Sequence, residues 1–161
     1  MLRELDLALL RLLRTRFHQP PIERTVTAFS KLGEHSLIWF AGSALGALVD
    51  RRRSPAYRRA MRVVAAAEVT NVIAKFVIGR RRPELAGLPP LASTLSNRSF
   101  PSAHATCSFA AAHALSRELP VAPLYALAGG LALSRPYLGV HYPSDAVGGA
   151  ALGTLLAQVI P

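Results

Sequence analysis

Residues 134–145 read Ser-Arg-Pro-Tyr-Leu-Gly-Val-His-Tyr-Pro-Ser-Asp and join one apolar run, 121–134, to another, 143–160. A permanent cation, Arg135, is followed six residues later by His141 and four residues after that by Asp145. If Pro143 opens a helix, Asp145 stands one turn beyond the histidine. A carboxylate at that spacing holds one imidazole nitrogen and fixes the tautomer. The other nitrogen's lone pair is then free as base, ligand or nucleophile. Taken alone, the stretch also reads as a helix start with an incidental histidine.

Two further stretches bear on that choice. Lys75 and Arg82 stand seven residues apart, which predicts two turns of one helix with both cations on one face, and Pro83 then ends the helix. Residues 100–105, Phe-Pro-Ser-Ala-His-Ala, open a run of small residues with a second histidine, His104. A helix start there offers free N–H groups and a positive dipole end to an anion. Together the three stretches ask for a phosphate: cations to neutralise it, one imidazole as nucleophile or base, and a second as acid for the leaving group.

The chain's 161 residues predict one domain, 1–161. Hydrophobic residues make up 51% and mean hydropathy is +0.28, greasier than an ordinary soluble domain. The net charge of +10 invites a nucleic-acid reading, but the arginines cluster at segment ends, at 51–53, 58–62 and 80–82, with long uncharged runs between. Basic flanks on apolar spans describe a membrane protein, so no nucleic-acid partner is expected. A single cysteine, Cys107, excludes an intrachain disulfide and reads as a packing residue. Nine acidic residues, none paired at a spacing that makes an oxygen cage, predict no metal and no cofactor.

In chain order, 1–17 predicts an amphipathic helix on the membrane surface, with Leu2, Leu5, Leu9, Leu12 and Leu13 on one face and Arg3, Glu4, Arg11 and Arg14 mostly opposite. Its charges exclude a signal peptide. A short helix follows over 22–32, then 36–49, a long helix over 56–82, a non-helical stretch over 83–100, and helices over 105–116, 121–134 and 143–160. Glu68 and Asn71 lie inside the long helix and predict interhelical hydrogen bonds. Gly42/Gly46, Gly129/Gly130 and Gly149/Gly153 predict close helix contacts. The fold class is therefore all-α, a multi-pass membrane bundle of five to six membrane helices plus the interfacial one. If successive helices alternate direction, every motif residue lands at one end of it. The other end holds Arg51, Arg52, Arg53, Arg58, Arg59 and Arg117, plus the N-terminal arginines if 22–32 spans. The positive-inside tendency makes that end cytoplasmic and the motif end extracytoplasmic.

The motifs Lys75-x6-Arg82-Pro83, Pro101-Ser102-Ala103-His104 and Ser134-Arg135-x5-His141-x3-Asp145 resemble, in order and spacing, those of the type 2 phosphatidic acid phosphatase superfamily. They cover 75–145. Ala103 stands where that family usually has glycine. The resemblance implies that His141 attacks phosphorus and becomes a phosphohistidine. It implies that Asp145 orients His141, and that His104 protonates the departing alcohol and later activates water. Lys75, Arg82, Ser102, Ala103 and Arg135 are implied to hold the phosphoryl oxygens without a metal. Arg80 and Arg81 read as headgroup-contacting flanks, and Arg98 as a loop residue able to reach a headgroup.

The implied substrate is a lipid-linked phosphate taken from the bilayer. This short, Arg- and Ala-rich form is similar in style to the actinobacterial members that dephosphorylate decaprenylphosphoryl-5-phosphoribose for cell-wall arabinan. Polyprenyl diphosphate, phosphatidylglycerophosphate and phosphatidic acid are the rival substrates. From other classes, a soluble vanadate haloperoxidase needs a polar exterior that this chain lacks, and a nonenzymatic basic module binding membrane or nucleic acid needs no histidine pair.

Overall fold

The computed structural model describes residues 2–16 and 18–161, so Met1 and Phe17 of the expected N-terminal helix lie outside the described residues. The described chain forms α-helices α1 (Leu2–Thr15), α2 (Pro20–Lys31), α3 (Leu37–Val49), α4 (Ser54–Ile78), α5 (Ala103–Leu115), α6 (Val121–Tyr137) and α7 (Pro143–Val159). Single 3-10 turns, Glu34–Ser36 and Arg51–Arg53, precede α3 and α4. Prolines open α2, α4 and α7, where a missing N–H costs nothing and φ is already helical.

One boundary corrects the sequence reading. α4 stops at Ile78, not Arg82, because Gly79 takes a left-handed φ of 68° and its N–H returns to the Lys75 carbonyl. Lys75 and Arg82 therefore do not share a helical face. Arg82 lies in a non-helical limb that folds back on itself: its N–H donates to the Asn97 carbonyl at 3.2 Å, and the Ser99 N–H donates to that of Arg80 at 2.8 Å. This pairing, not helix periodicity, carries Arg82 to the Val140 carbonyl and His141.

α5 is the central helix, packed by α4, α6 and α7. Its contact with α7 is made by glycine: a Cβ on Gly149 would sit 2.7 Å from the Ser102 carbonyl oxygen, and one on Gly153 would overlap the Thr106 carbonyl. The other expected glycine pairs serve only in part. Gly46 abuts Tyr57 and Gly130 abuts Phe29, whereas Gly42 and Gly129 face open space. Inside the bundle, Asn71 donates to Thr106 Oγ1 at 2.9 Å and Ser36 Oγ donates to Glu68 at 2.6 Å, the interhelical bonds expected of the polar residues on α4.

The core is small and the surface is large and apolar. Ala110, Ala111, Ala112, Ala128 and Ala157 are fully buried or nearly so, while Leu45, Leu48, Val69, Phe76, Val77, Val147 and Val159 are exposed. That inversion suits a lipid solvent, where close backbone approach replaces the hydrophobic effect as the packing force. Among the described residues, no single helix is long and apolar enough to cross a membrane. Residues 20–31 and 34–49, bent by 51°, meet the requirement together.

α1 keeps its leucine face apart from its charged face. Its inward stripe is Asp6, Leu10 and Arg14, and Leu5, Leu9 and Leu12 face outward. Arg14 donates to the carbonyls of Pro89 at 2.6 Å and Tyr137 at 3.3 Å, so α1 is seated over the ends of α6 and α7 by buried polar groups. α2 does not cross the bundle either: His18, just before it, stacks on Tyr137, and Ser30 near its end meets Ser134 and Arg135. The N-terminal arginines therefore stand at the motif end. At the far end Arg59 caps α7, donating to the carbonyls of Ala157 and Ile160 at 2.6 and 2.8 Å.

The α5–α7 seam yields a stability test. Gly153→Ala forces a methyl onto backbone and should destabilise the bundle by roughly 2–4 kcal/mol. Gly42→Ala, with no neighbour to strike, should leave the thermal midpoint in detergent unchanged.

Candidate active site

Asp145 is the third residue of α7 and has no exposed surface. Its Oδ2 accepts the Tyr142 N–H at 2.8 Å, an N-terminal capping bond that locks the carboxylate against the helix start. The same oxygen lies 3.3 Å from His141 Nδ1. A carboxylate only accepts, so Nδ1 carries the hydrogen and the lone pair is at Nε2. Gly139, at φ 77°, makes the turn that brings His141 there from the end of α6.

Arg82 faces that lone pair. Its Nη1 is 3.1 Å from His141 Nε2 and 2.6 Å from the Val140 carbonyl, and its Nε donates to the Ser96 carbonyl at 2.8 Å. The nitrogen available for attack is thus already in contact with a guanidinium able to receive a phosphoryl oxygen. Burial pushes the His141 imidazole down to about 4. Asp145 opposes the shift, and Arg82 and Lys75 add to it. Burial likewise lowers Arg82, against the pull of Asp145. At neutral pH His141 is therefore unprotonated, as a nucleophile requires.

His104, the second residue of α5, is held from α2. Its Nε2 donates to the Ser30 carbonyl at 2.9 Å, which leaves Nδ1 as the exchangeable position. Gly33 presses on the ring's edge, since a Cβ there would lie 2.6 Å from His104 Cδ2. Ser30 Oγ accepts from Arg135 Nη1 at 2.8 Å and from Ser134 Oγ at 3.1 Å. One residue of α2 therefore positions both His104 and Arg135. Lys75 Nζ donates to the Pro101 carbonyl at 2.7 Å, and its charge reaches both histidines. Among the described residues Ser102 Oγ and Arg135 Nε are buried with no protein partner, two donors left over. Ala103 begins α5 directly after Ser102, and the Ser102 N–H is spent on the Asp145 carbonyl at 3.0 Å.

Lys75, Arg82, Ser102, His104, Arg135, His141 and Asp145 are thus gathered at one end of the bundle. Arg98 meets this group only at the Lys75 carbonyl, at 3.5 Å, and Arg81 is not among its side-chain contacts in the described residues. Arg81 is exposed beside an open pocket of about 450 Å³ shared with Arg3, Asp6, Arg80 and Tyr142, and Arg98 lies over the Phe76 ring. Arg80 corrects the sequence reading: it is no free flank, because Nη1 donates to Asp145 Oδ1 at 2.8 Å and Nη2 to Asp6 Oδ2 at 2.7 Å. Sequence reasoning also missed Ser30, Gly33 and Asp6. Asp6 carried one signal, as an acidic residue within a leucine-rich helix. Among the described residues no three His, Cys, Asp or Glu side chains converge as a metal-binding group.

Residues 56–161 match the PAP2 superfamily. The chain belongs to that superfamily. Among relatives of this PAP2 chain is decaprenylphosphoryl-5-phosphoribose phosphatase of Mycobacterium tuberculosis, 35% identical over 142 residues, 88% of this chain and 80% of that one. Of solved structures, Aquifex aeolicus LpxE superposes with a TM-score of 0.85 at 26% identity, covering 96% of this chain and 93% of that one. The transmembrane PAP2 type phosphatidylglycerolphosphate phosphatase of Bacillus subtilis does so at 0.79 and 25%, covering 99% and 84%. The PAP2 match begins at residue 56, so Asp6, Ser30 and Gly33 stand outside it.

Two outcomes follow. Gly33→Ala should displace the His104 ring and lower kcat roughly 10- to 100-fold with little change in thermal midpoint. For His141, the folded value lies below the unfolded one, so at acid pH the unfolded chain binds the proton more readily. Stability should fall as pH drops from about 6.5 to about 4, by up to about 3 kcal/mol, and His141→Asn should flatten that slope in thermal unfolding.

Proposed function

We propose that this PAP2 protein is a metal-independent phosphatase of a lipid-linked phosphate, working through a phosphohistidine on His141. The observation that carries the reading is His141 itself: Nδ1 on a buried carboxylate and Nε2 bare toward Arg82. In the first step Nε2 attacks phosphorus, the bond to the lipid-side oxygen breaks, and His104, entering the step as the imidazolium, gives that oxygen its Nδ1 proton and is left neutral. In the second, His104 takes a proton from water, the hydroxide attacks phosphorus, and His141 departs with inorganic phosphate released. Lys75, Arg82 and Arg135, with the Ser102 hydroxyl, receive the negative charge of the transferring group. Phosphoryl transfer asks mainly for such positioning and charge stabilisation. Arg82 must turn from His141 Nε2 to the phosphate for attack to begin. The retained contact with Val140 gives it a pivot.

The substrate best supported is decaprenylphosphoryl-5-phosphoribose, on the strength of the M. tuberculosis relative, which covers most of both chains. We assign residues 1–161 to one membrane domain with several passes, in keeping with the exposed apolar girdle. The active site is assigned to the extracytoplasmic face. The run Arg51, Arg52, Arg53 and Arg58 at the far end supports this, against the exposed Arg3, Arg11, Arg16 and Arg81 at the site end; Arg14, Arg82 and Arg135 there are tied up inside the protein.

Purified protein presented with this lipid, a polyprenyl diphosphate, phosphatidylglycerophosphate and phosphatidic acid, all in EDTA, should hydrolyse the ribose phosphate fastest. His141→Ala should lose at least about a thousandfold in rate. Loss of activity in EDTA would remove the metal-free mechanism, and preference for the diphosphate would remove the ribose assignment. Labelling of Arg117→Cys from the cytoplasmic side alone is the outcome expected for the orientation.

A further inference from the structure

Asp145 is held on both of its oxygens, and only one of them serves His141. Oδ2 divides between the Tyr142 N–H at 2.8 Å and His141 Nδ1 at the longer 3.3 Å. A bond that long does not by itself hold a carboxylate in plane with an imidazole. The firm contact is on Oδ1, where Arg80 Nη1 donates at 2.8 Å and also reaches Ser144 Oγ at 2.7 Å. The guanidinium lies 4.0 Å over the Tyr142 ring, and its other nitrogen donates to Asp6 at 2.7 Å. Asp6 is almost fully buried and also accepts from the Ser144 N–H at 3.0 Å. Arg80 is thus confined between two carboxylates, one on α1 and one on α7, with an aromatic face behind it.

We propose that Arg80 is a positioning residue of this active site, and that through it Asp6 of α1 belongs to the catalytic assembly, the line Asp6–Arg80–Asp145 setting the carboxylate that orients His141. The inference rests on the phosphatase reading above. Two physical effects follow from the geometry. Arg80 aims the carboxylate, since a guanidinium with two fixed acceptors leaves Oδ1 a single place to sit. It also draws negative charge toward Oδ1 and so reduces what the imidazole receives at Oδ2. Asp6 in turn keeps Arg80 from collapsing onto Asp145 as a simple closed ion pair. The seating of α1 is thereby coupled to the nucleophile, although α1 supplies no group that touches it.

The other charged or titratable groups around His141 are Lys75 from α4, Arg82 from the non-helical limb, His104 from α5 and Asp145 from α7. None of these changes when Arg80 and Asp6 are altered together. The experiment uses the full chain in detergent with the panel lipid it hydrolyses fastest, and compares Asp6→Asn, Arg80→Lys, the pair Arg80→Gln with Asp6→Asn, and His141→Ala.

The paired variant removes one charge of each sign, so the net charge of the cluster is unchanged, and it leaves Asp145 the Tyr142 N–H and His141. It should fold, lose roughly 10- to 100-fold in kcat with KM nearly unchanged, and move the acid limb of kcat/KM upward by about half a pH unit or more, because the imidazolium then meets an undivided carboxylate. Asp6→Asn should cost less, and Arg80→Lys, which keeps the charge but not the fork, should fall between. A folded paired variant with wild-type kcat and an unmoved acid limb would overturn the proposal. If the paired variant does not fold, Arg80→Lys decides in its place, and wild-type kcat there overturns it. A His141→Ala variant as active as wild type would instead sink the phosphatase reading itself.

Discussion

A carboxylate with no exposed surface can stay charged only where the protein replaces its water, and Asp145 shows how that is done here. The helix start supplies an N–H, His141 supplies another on the same oxygen, and Arg80 supplies a guanidinium on the other oxygen. Everything about the site depends on this arrangement. It fixes the histidine's tautomer, sets α7 against the Ser102 segment through the Asp145 carbonyl, and anchors α1 through the far side of Arg80. Removing any one of these partners strands a buried charge.

The same physics shapes the cation cluster. Lys75, Arg82 and Arg135 are kept apart from carboxylates and rest on neutral oxygens: the carbonyls of Pro101 and Val140 and the hydroxyl of Ser30. Carbonyls hold a cation in place without cancelling its charge. On the proposed function, a phosphate would replace those neutral partners and meet three cations that no carboxylate contacts directly. Arg80, by contrast, is neutralised by two carboxylates and is unsuited to bind an anion. The division of labour between Arg80 and Arg82, two residues apart, comes from what each one touches.

Around this polar end the bundle is built for close approach. Glycine and alanine along α5 and α7 bring backbone against backbone, and the larger aliphatic side chains are displaced to the outside. Such packing is rigid, because a seam of backbone atoms has no side-chain rotamers to relax. The first residues of α5 and α7, which carry His104 and Asp145, are therefore set by the seam between those helices.

The helical class, the three motifs, and the pairing of His141 with Asp145 were legible in the residues alone, because these depend on local spacing: one turn of helix, a proline at a helix start, an apolar run of a given length. The course of α7 from Pro143 was legible for the same reason. The sequence also located the polar partners within the bundle, since Glu68 and Asn71 in an apolar helix have no other way to be satisfied. The end of α4 was misplaced because Gly79 gives no sign of its left-handed turn until the chain after it has somewhere to go. Folding in three dimensions alone made Arg80 turn to Asp145 and Arg82 to His141, set Ser30 and Gly33 against His104, and buried the polar stripe of α1. Each of those contacts joins residues that lie far apart in the chain, where the partner is chosen by which buried charge lacks solvent and not by any local periodicity.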